Sequence, residues 1–117
     1  MPRNRGEVWE VDLTDARGHE QGGTRPAIIV GPWVVLGNGY GNITVVVPVT
    51  TTERAFQFPH IYQIDPNDQN GLTSISAVLV FQILSLDDSR FIRRRGVVSP
   101  EDMAGIQAIL KDLLSIE

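Results

Sequence analysis

Ile43-Thr44-Val45-Val46-Val47-Pro48-Val49-Thr50 is the stretch that decides the fold class of this chain. Its β-branched side chains lose rotamer freedom in a helix and pack well on a pleated surface, so it predicts a central strand. Pro48 has no N–H to give, and the ladder is expected to bulge or end there. Toward the N-terminus, Ala27-Ile28-Ile29-Val30 is a continuous apolar run suited to a strand buried on both faces. Gly6 to Leu13 alternates apolar and polar side chains, the period of a half-buried strand. Between those two lies a polar, Gly-rich loop, Thr14 to Thr24. Gly31 to Asn42 carries four Gly and one Pro and is expected to be irregular.

Toward the C-terminus a second polar loop, Thr51 to Pro59, leads to strands near His60–Ile64, Ser76–Leu84 and Phe91–Val98. Asp65 to Gly71 is dense in turn chemistry, and Asp87 to Arg90 suits one helical turn. Ser99 then reads as an N-cap with Pro100 at the first helical position and Glu101 and Asp102 complementing the dipole. Met103, Ile106, Leu110, Leu113 and Leu114 recur at helical spacing. Strands first and one helix last predict a mostly β chain, a small antiparallel barrel capped by a C-terminal helix. With 117 residues and 42% hydrophobic content there is enough chain for one core, so 1–117 is expected to be a single domain.

Composition removes several functions. Without Cys there are no disulfides, no thiolate zinc sites and no cysteine nucleophile, and two separated His leave little for a metal. The longest apolar runs fall far short of the roughly 18 residues of a membrane span, and no charged leader precedes one. A cytoplasmic protein with no membrane partner and no cofactor is expected. The net charge of −4 does not steer the whole molecule onto a polyanion. Nine of the ten basic residues are nevertheless Arg, and Arg90, Arg93, Arg94 and Arg95 lie within six positions. A local site for phosphate or for an acidic peptide survives the global argument.

The polar loops flank buried strands, where a strand end can hold a side chain rigidly. At this point the chain resembles the MazF/PemK-type toxins of bacterial toxin–antitoxin systems. Arg5-Gly6-Glu7-Val8-Trp9 with Asp12-Leu13 is similar to their opening strand, and Glu20-Gln21-Gly22-Gly23 with Arg25-Pro26 to their signature loop. Pro48-Val49-Thr50-Thr51 resembles the third-strand motif, and Gln82-Ile83 with Asp87 the fifth. His19 stands where Ser is common, and Phe81 where an acidic residue is common.

The resemblance implies an SH3-like barrel, in the manner of MazF, CcdB and Kid, that forms a homodimer and binds a cognate antitoxin. It implies metal-independent, sequence-specific cleavage of single-stranded RNA, with Arg25 and Thr50 as catalytic residues and Glu20 implicated beside them. Gln21, Thr51, Arg54, Ser76 and Gln82 are the expected RNA contacts. Phe56, between Arg54 and Gln57, is the aromatic placed to stack on an unpaired base.

The chemistry can be argued independently. Metal-free RNA cleavage uses the substrate's 2′-OH and leaves a cyclic phosphate and a 5′-OH. It needs a base, a cation for the developing phosphorane charge and a proton for the leaving oxygen. Arg25 offers charge and two parallel hydrogen bonds but is a poor base. Thr50 offers a hydroxyl donor, and Glu20 is the base candidate.

Plainer readings stand beside these. Composition alone favours Arg25 as a loop anchor paired with Glu20 or Asp15, and Thr51 and Thr52 as a β-branched strand end. His19 and His60 suggest a two-histidine ribonuclease, which their spacing does not support. The Arg93–Arg95 run reads equally as a charged, aggregation-resistant edge or as a docking face. Trp9 reads as core or dimer contact. Two other function classes compete: a CcdB-like toxin that binds gyrase and cuts nothing, and a non-catalytic peptide-binding module. The gyrase mode is associated with a C-terminal Trp, whereas this chain ends Leu114-Ser115-Ile116-Glu117.

Overall fold

The predicted central strand is β3, residues Asn42–Thr50, and every other part of the sheet is organised around it. The computed structural model describes residues 3–117. Around β3 run β1 (Glu7–Leu13), β2 (Gly23–Val35), β4 (Ile61–Ile64), β5 (Ser76–Leu79), β6 (Leu84–Asp87) and β7 (Phe91–Val97). The helix α1 (Pro100–Leu113) closes the order. The seven-stranded sheet runs β4-β5-β3-β2-β1-β7, with β6 joined to β3 off that path.

One edge of β3 pairs with β2; the other is divided between two strands. Ile43 to Val46 pair with β6, and Val49 and Thr50 pair with β5. Pro48 falls in the gap between those partners, where that edge of β3 has no paired neighbour. The ladder therefore continues through it, Pro48 standing opposite Ala27, against the expectation of a bulge or an end. The irregularity lies in β2 instead, between Ile29 and Trp33. Gly31 sits there so close to the Val45 side chain that a Cβ would collide with it.

Two further expectations are corrected. The segment after Gly31 is not irregular: β2 runs on to Val35, pairs with Asn42, and turns through Gly37, Asn38 and Gly39 at positive φ. The strand expected over Ser76–Leu84 is broken by a 3-10 turn at Val80–Gln82. That break moves the chain from its place beside Val49 and Thr50 to its place beside Ile43–Val46.

The expected closed barrel is also overturned. The sheet is open, with β4 and β7 at its ends and not paired to each other. β4 has only four residues and leads into the Asp65-Pro66 turn, so little edge remains to meet β7. Among the described residues only a corner closes: the Val97 N–H donates to Gln69 O at 2.8 Å, and the Arg95 Nη2 donates to Gly71 O at 2.9 Å. A Cβ on Gly96 would run into the backbone of Gln69 and Asn70, which is why glycine stands at that crossing.

Each sheet face carries its own core. On one, Val8, Ile28, Val47, Val49, Val78 and Ile106 are buried together under α1. Burying one such side chain as large as Ile106 contributes about 1.5–3 kcal/mol. On the other, Val11, Leu13, Ala27, Ile29, Val46 and Leu86 pack with Trp9, Leu84 and Phe91. The helix begins as predicted, the Ser99 Oγ accepting from the Asp102 N–H at 3.0 Å. Met103, Ile106, Leu110 and Leu113 face the core, whereas Leu114 is the C-cap and exposed.

Candidate active site

The loop between β1 and β2 is fastened at both ends to the segment around β6. At its start the Asp15 carboxylate accepts from both terminal nitrogens of Arg90, and Arg90 also donates to Asp12 O at 3.3 Å. Hydrogen bonding to that guanidinium holds the Asp15 carboxyl below its ordinary value of 3.8. Toward its end, Gln82 takes the loop backbone from two sides. Its Oε1 accepts from the Gln21 N–H at 2.7 Å, and its Nε2 donates to His19 O at 3.2 Å. Between these points Glu20 closes a tight turn, its Oε1 accepting from the Arg17 N–H at 2.5 Å.

Arg25 stands in β2 opposite Val11 and is half-buried. Its Nε donates to Gly22 O at 2.9 Å. The Gln21 side-chain amide faces the same guanidinium and, with its oxygen inward, accepts from Nε at 3.0 Å and from Nη2 at 3.2 Å. Among the described residues no carboxylate pairs with Arg25. The expected pairing with Glu20 or Asp15 is not found, because Asp15 is engaged by Arg90 and Glu20 by a backbone N–H; Arg25 holds the loop through Gly22 and Gln21 instead. A cation held only by neutral acceptors keeps its charge uncompensated for an incoming anion.

Thr50 ends β3 opposite Ala77 and stands two positions after Pro48, as Arg25 stands two positions before Ala27, the partner of Pro48. Arg25 and Thr50 thus lie on one sheet face, just beyond the Ala27–Pro48 pair that ends the β2–β3 ladder. Thr50 is 2% exposed. Its hydroxyl accepts from the Thr52 N–H at 3.2 Å and donates to the Thr52 Oγ1 at 3.0 Å, an arrangement that turns the chain out of the strand.

Two concavities flank the loop. One, of about 680 Å³, lies toward β6 and is lined by Leu13, Asp15, Ile43, Ser85, Asp87 and Arg90 among others. The second, of about 600 Å³, lies toward the 3-10 turn Glu53–Gln57 and includes His19, Thr52, Arg54, Phe58 and Leu79. Both share Glu20, Gln21, Phe81 and Gln82. Arg25 and Thr50 are not among the lining residues of either, but each is one hydrogen bond away, through Gln21 and Thr52.

Of the other expected contacts, Arg54 and Gln21 line the second concavity, and Thr51 is exposed beside it in sequence. Ser76 is buried, its hydroxyl donating to Ser74 O at 2.8 Å. Phe56 packs inward on Ala55, Ala77 and Leu79. The aromatics that do face the concavity are Phe58 and Phe81, edge to face at a centroid distance of 5.9 Å. Sequence reasoning missed Phe58 because the 3-10 turn Glu53–Gln57 reverses which of two nearby Phe points inward. The phenylalanine two residues beyond Phe56 was the available signal.

His19 and His60 serve different neighbourhoods: His19 lines the second concavity, and the His60 Nδ1 lies 3.7 Å from Asp112 of α1. The Arg run of β7 is largely engaged. Arg93 pairs with Glu10 at 3.1 Å, Arg94 with Glu7 at 3.4 Å, and Arg95 binds backbone. Trp9 belongs to the core, edge to face with Phe91 and beneath the Arg3 guanidinium. Among the described residues no group of three His, Cys, Asp or Glu could hold a metal ion. No helix among them is long and apolar enough to cross a membrane.

Residues 4–114 match the family model described as PemK-like, MazF-like toxin of type II toxin–antitoxin system. The chain is 32% identical over 111 residues to the endoribonuclease MazF9 of Mycobacterium tuberculosis, covering 92% of each chain. Its fold is similar to that of MazF from Deinococcus radiodurans, with a TM-score of 0.77 and 27% identity over 98% of both chains. A mycobacterial endoribonuclease solved with its cognate antitoxin is similar at a TM-score of 0.71 and 28% identity, covering 98% of this chain and 97% of that one. A match over nearly the whole chain in sequence, supported by the same fold, shows the family: this chain belongs to the PemK-like, MazF-like toxins of type II toxin–antitoxin systems.

Proposed function

We propose that the chain, acting as one domain over 1–117, cuts single-stranded RNA at specific sequences without a metal, by attack of the substrate's own 2′-OH. Family membership supplies the coarser part, a toxin with ribonuclease activity that is held by an antitoxin. The observation that carries the finer part is the uncompensated Arg25 guanidinium beside the end of β3. The scissile phosphate sits between Arg25 and Thr50. Arg25 stabilises the charge that builds on the non-bridging oxygens, and Thr50 donates to one of them once its hydroxyl turns from Thr52. Glu20, which lines both concavities, takes the 2′-OH proton. As the cyclic phosphate forms, the bond from phosphorus to the 5′ oxygen breaks, and that oxygen takes its proton from Arg25, which regains one from water.

Unpaired bases flanking the phosphate occupy the second concavity, against Phe58, Phe81 and Arg54, with Gln21 and Thr51 at its border. The protein works as a homodimer in the cytoplasm, and a cognate antitoxin covers the same groove. The test is incubation with a long natural RNA in excess EDTA and mapping of fragment ends. Discrete cuts bearing 2′,3′-cyclic phosphate and 5′-OH ends are expected. An intact, diverse transcript pool would favour a gyrase-binding or peptide-binding role.

A further inference from the structure

We infer that Gln82 is a positioning residue for cleavage, setting Arg25 through the backbone of the loop rather than reading a base itself. The inference rests on the cleavage reading above. Both ends of the Gln82 amide are spent on protein: Oε1 on the Gln21 N–H at 2.7 Å and Nε2 on His19 O at 3.2 Å. An amide has two donors and a carbonyl oxygen, so a base edge would meet only what these bonds leave over. The residue gripped by Gln82 is the one that faces Arg25. Gln21 gives its N–H to Gln82 and turns its side-chain oxygen to the Arg25 Nε and Nη2. The chain of contacts therefore runs from Gln82, which ends the 3-10 turn before β6, through Gln21 in the loop, to Arg25 in β2.

This gives the interruption of the strand expected over Ser76–Leu84 a purpose. The 3-10 turn at Val80–Gln82 is where the chain leaves β5 for β6, and it delivers the Gln82 side chain to the loop. The residues on each side of Gln21 differ in their tethers. Among the described residues Glu20 is held only to Arg17 within the loop, while Gly22 is held to Arg25 itself. Gln82 is thus the tether that ties the Arg25-facing end of the loop to another part of the sheet. A shift of about 1 Å in a group acting at the reacting phosphate can cost on the order of 100-fold in rate.

The experiment compares wild type, Gln82→Met and Gln82→Glu by single-turnover cleavage of a mapped RNA site and by amide hydrogen exchange. Gln82→Met removes both bonds; Gln82→Glu keeps an acceptor for the Gln21 N–H and loses the donor to His19. The expected result is faster exchange confined to residues 18–24. With it come a fall in kcat of about 10- to 100-fold for Gln82→Met and a smaller fall for Gln82→Glu, at unchanged KM and an unchanged cleavage sequence. A relaxed or altered cleavage sequence, or a raised KM at unchanged kcat, would show that Gln82 reads RNA and overturn the inference. So would unchanged exchange in the loop. A wild-type protein that cuts no RNA, with the loop still loosened by Gln82→Met, would overturn the cleavage reading and leave the clamp standing. If Gln82→Met does not fold, Gln82→Glu alone carries the test, through the same exchange and kcat readouts.

Discussion

The Thr50 hydroxyl is already bonded on both sides to Thr52, accepting from its N–H at 3.2 Å and donating to its Oγ1 at 3.0 Å. That hydroxyl is buried, and in the cleavage we propose rotation about one bond redirects its proton to a phosphate oxygen. Thr50→Ser, which keeps the hydroxyl, is expected to cut RNA within about tenfold of wild type. Thr50→Val, nearly isosteric, should lose about 10²–10³ in kcat if the donor acts on the developing charge. Its stability should fall by only about 1 kcal/mol, the net worth of a typical hydrogen bond. Single-turnover cleavage beside thermal melting separates the two.

The Asp15–Arg90 contact predicts a pH dependence with a definite sign. Arg90 hydrogen bonding lowers the Asp15 pKa from its ordinary 3.8, so the folded state favours the carboxylate. The contribution is complete above that ordinary value and is lost as pH falls below it through the lower folded pKa. Carboxyl carbon NMR should show Asp15 titrating below 3.8, and Arg90→Gln should move its midpoint up. Loop exchange over 12–17 should then quicken at neutral pH as well.

Tyr62 links β4 to the first turn of α1, its hydroxyl donating to the Asp102 Oδ1 at 2.7 Å. That hydrogen bond, with burial and the nearby carboxylates, pushes the Tyr62 pKa up from 10.0 to about 12. The sign is opposite to that of Asp15: the contribution is present below pH 10.0 and fades as pH rises toward 12. Tyr62→Phe should destabilise the protein by about 0.5–1.5 kcal/mol at pH 7. Denaturant midpoints of wild type and variant should converge as pH approaches 12.

Much of this architecture is visible in local sequence because local physics sets it. The β-branched run of β3, the alternation of β1 and the Ser99–Pro100 start of α1 each act over a few residues. What the sequence hides depends on neighbours far away in the chain. The passage through Pro48 follows from the division of one β3 edge between β5 and β6, and the open sheet follows from the shortness of β4. Neither can be read from a window of residues. The same holds at the site. Arg25, Thr50 and Glu20 lie beside strand ends that patterning locates, but the tethers of the loop, Arg90 and Gln82, come from 60 or more residues downstream. The inward turn of Phe56 and the outward turn of Phe58 depend on a 3-10 turn that propensity does not mark.

The most direct test of the account is the paired measurement of Arg25→Ala. Arg25 is half-buried and, among the described residues, bound only by neutral acceptors, so its loss should cost about 1 kcal/mol of stability and leave the melting transition close to wild type. In excess EDTA, wild type should cut a long RNA at discrete sites and leave cyclic phosphate ends, while the variant cuts at least about 10²-fold more slowly. An Arg25→Ala protein that cuts at the wild-type rate, or one inactive only because it melts far below wild type, would contradict the account.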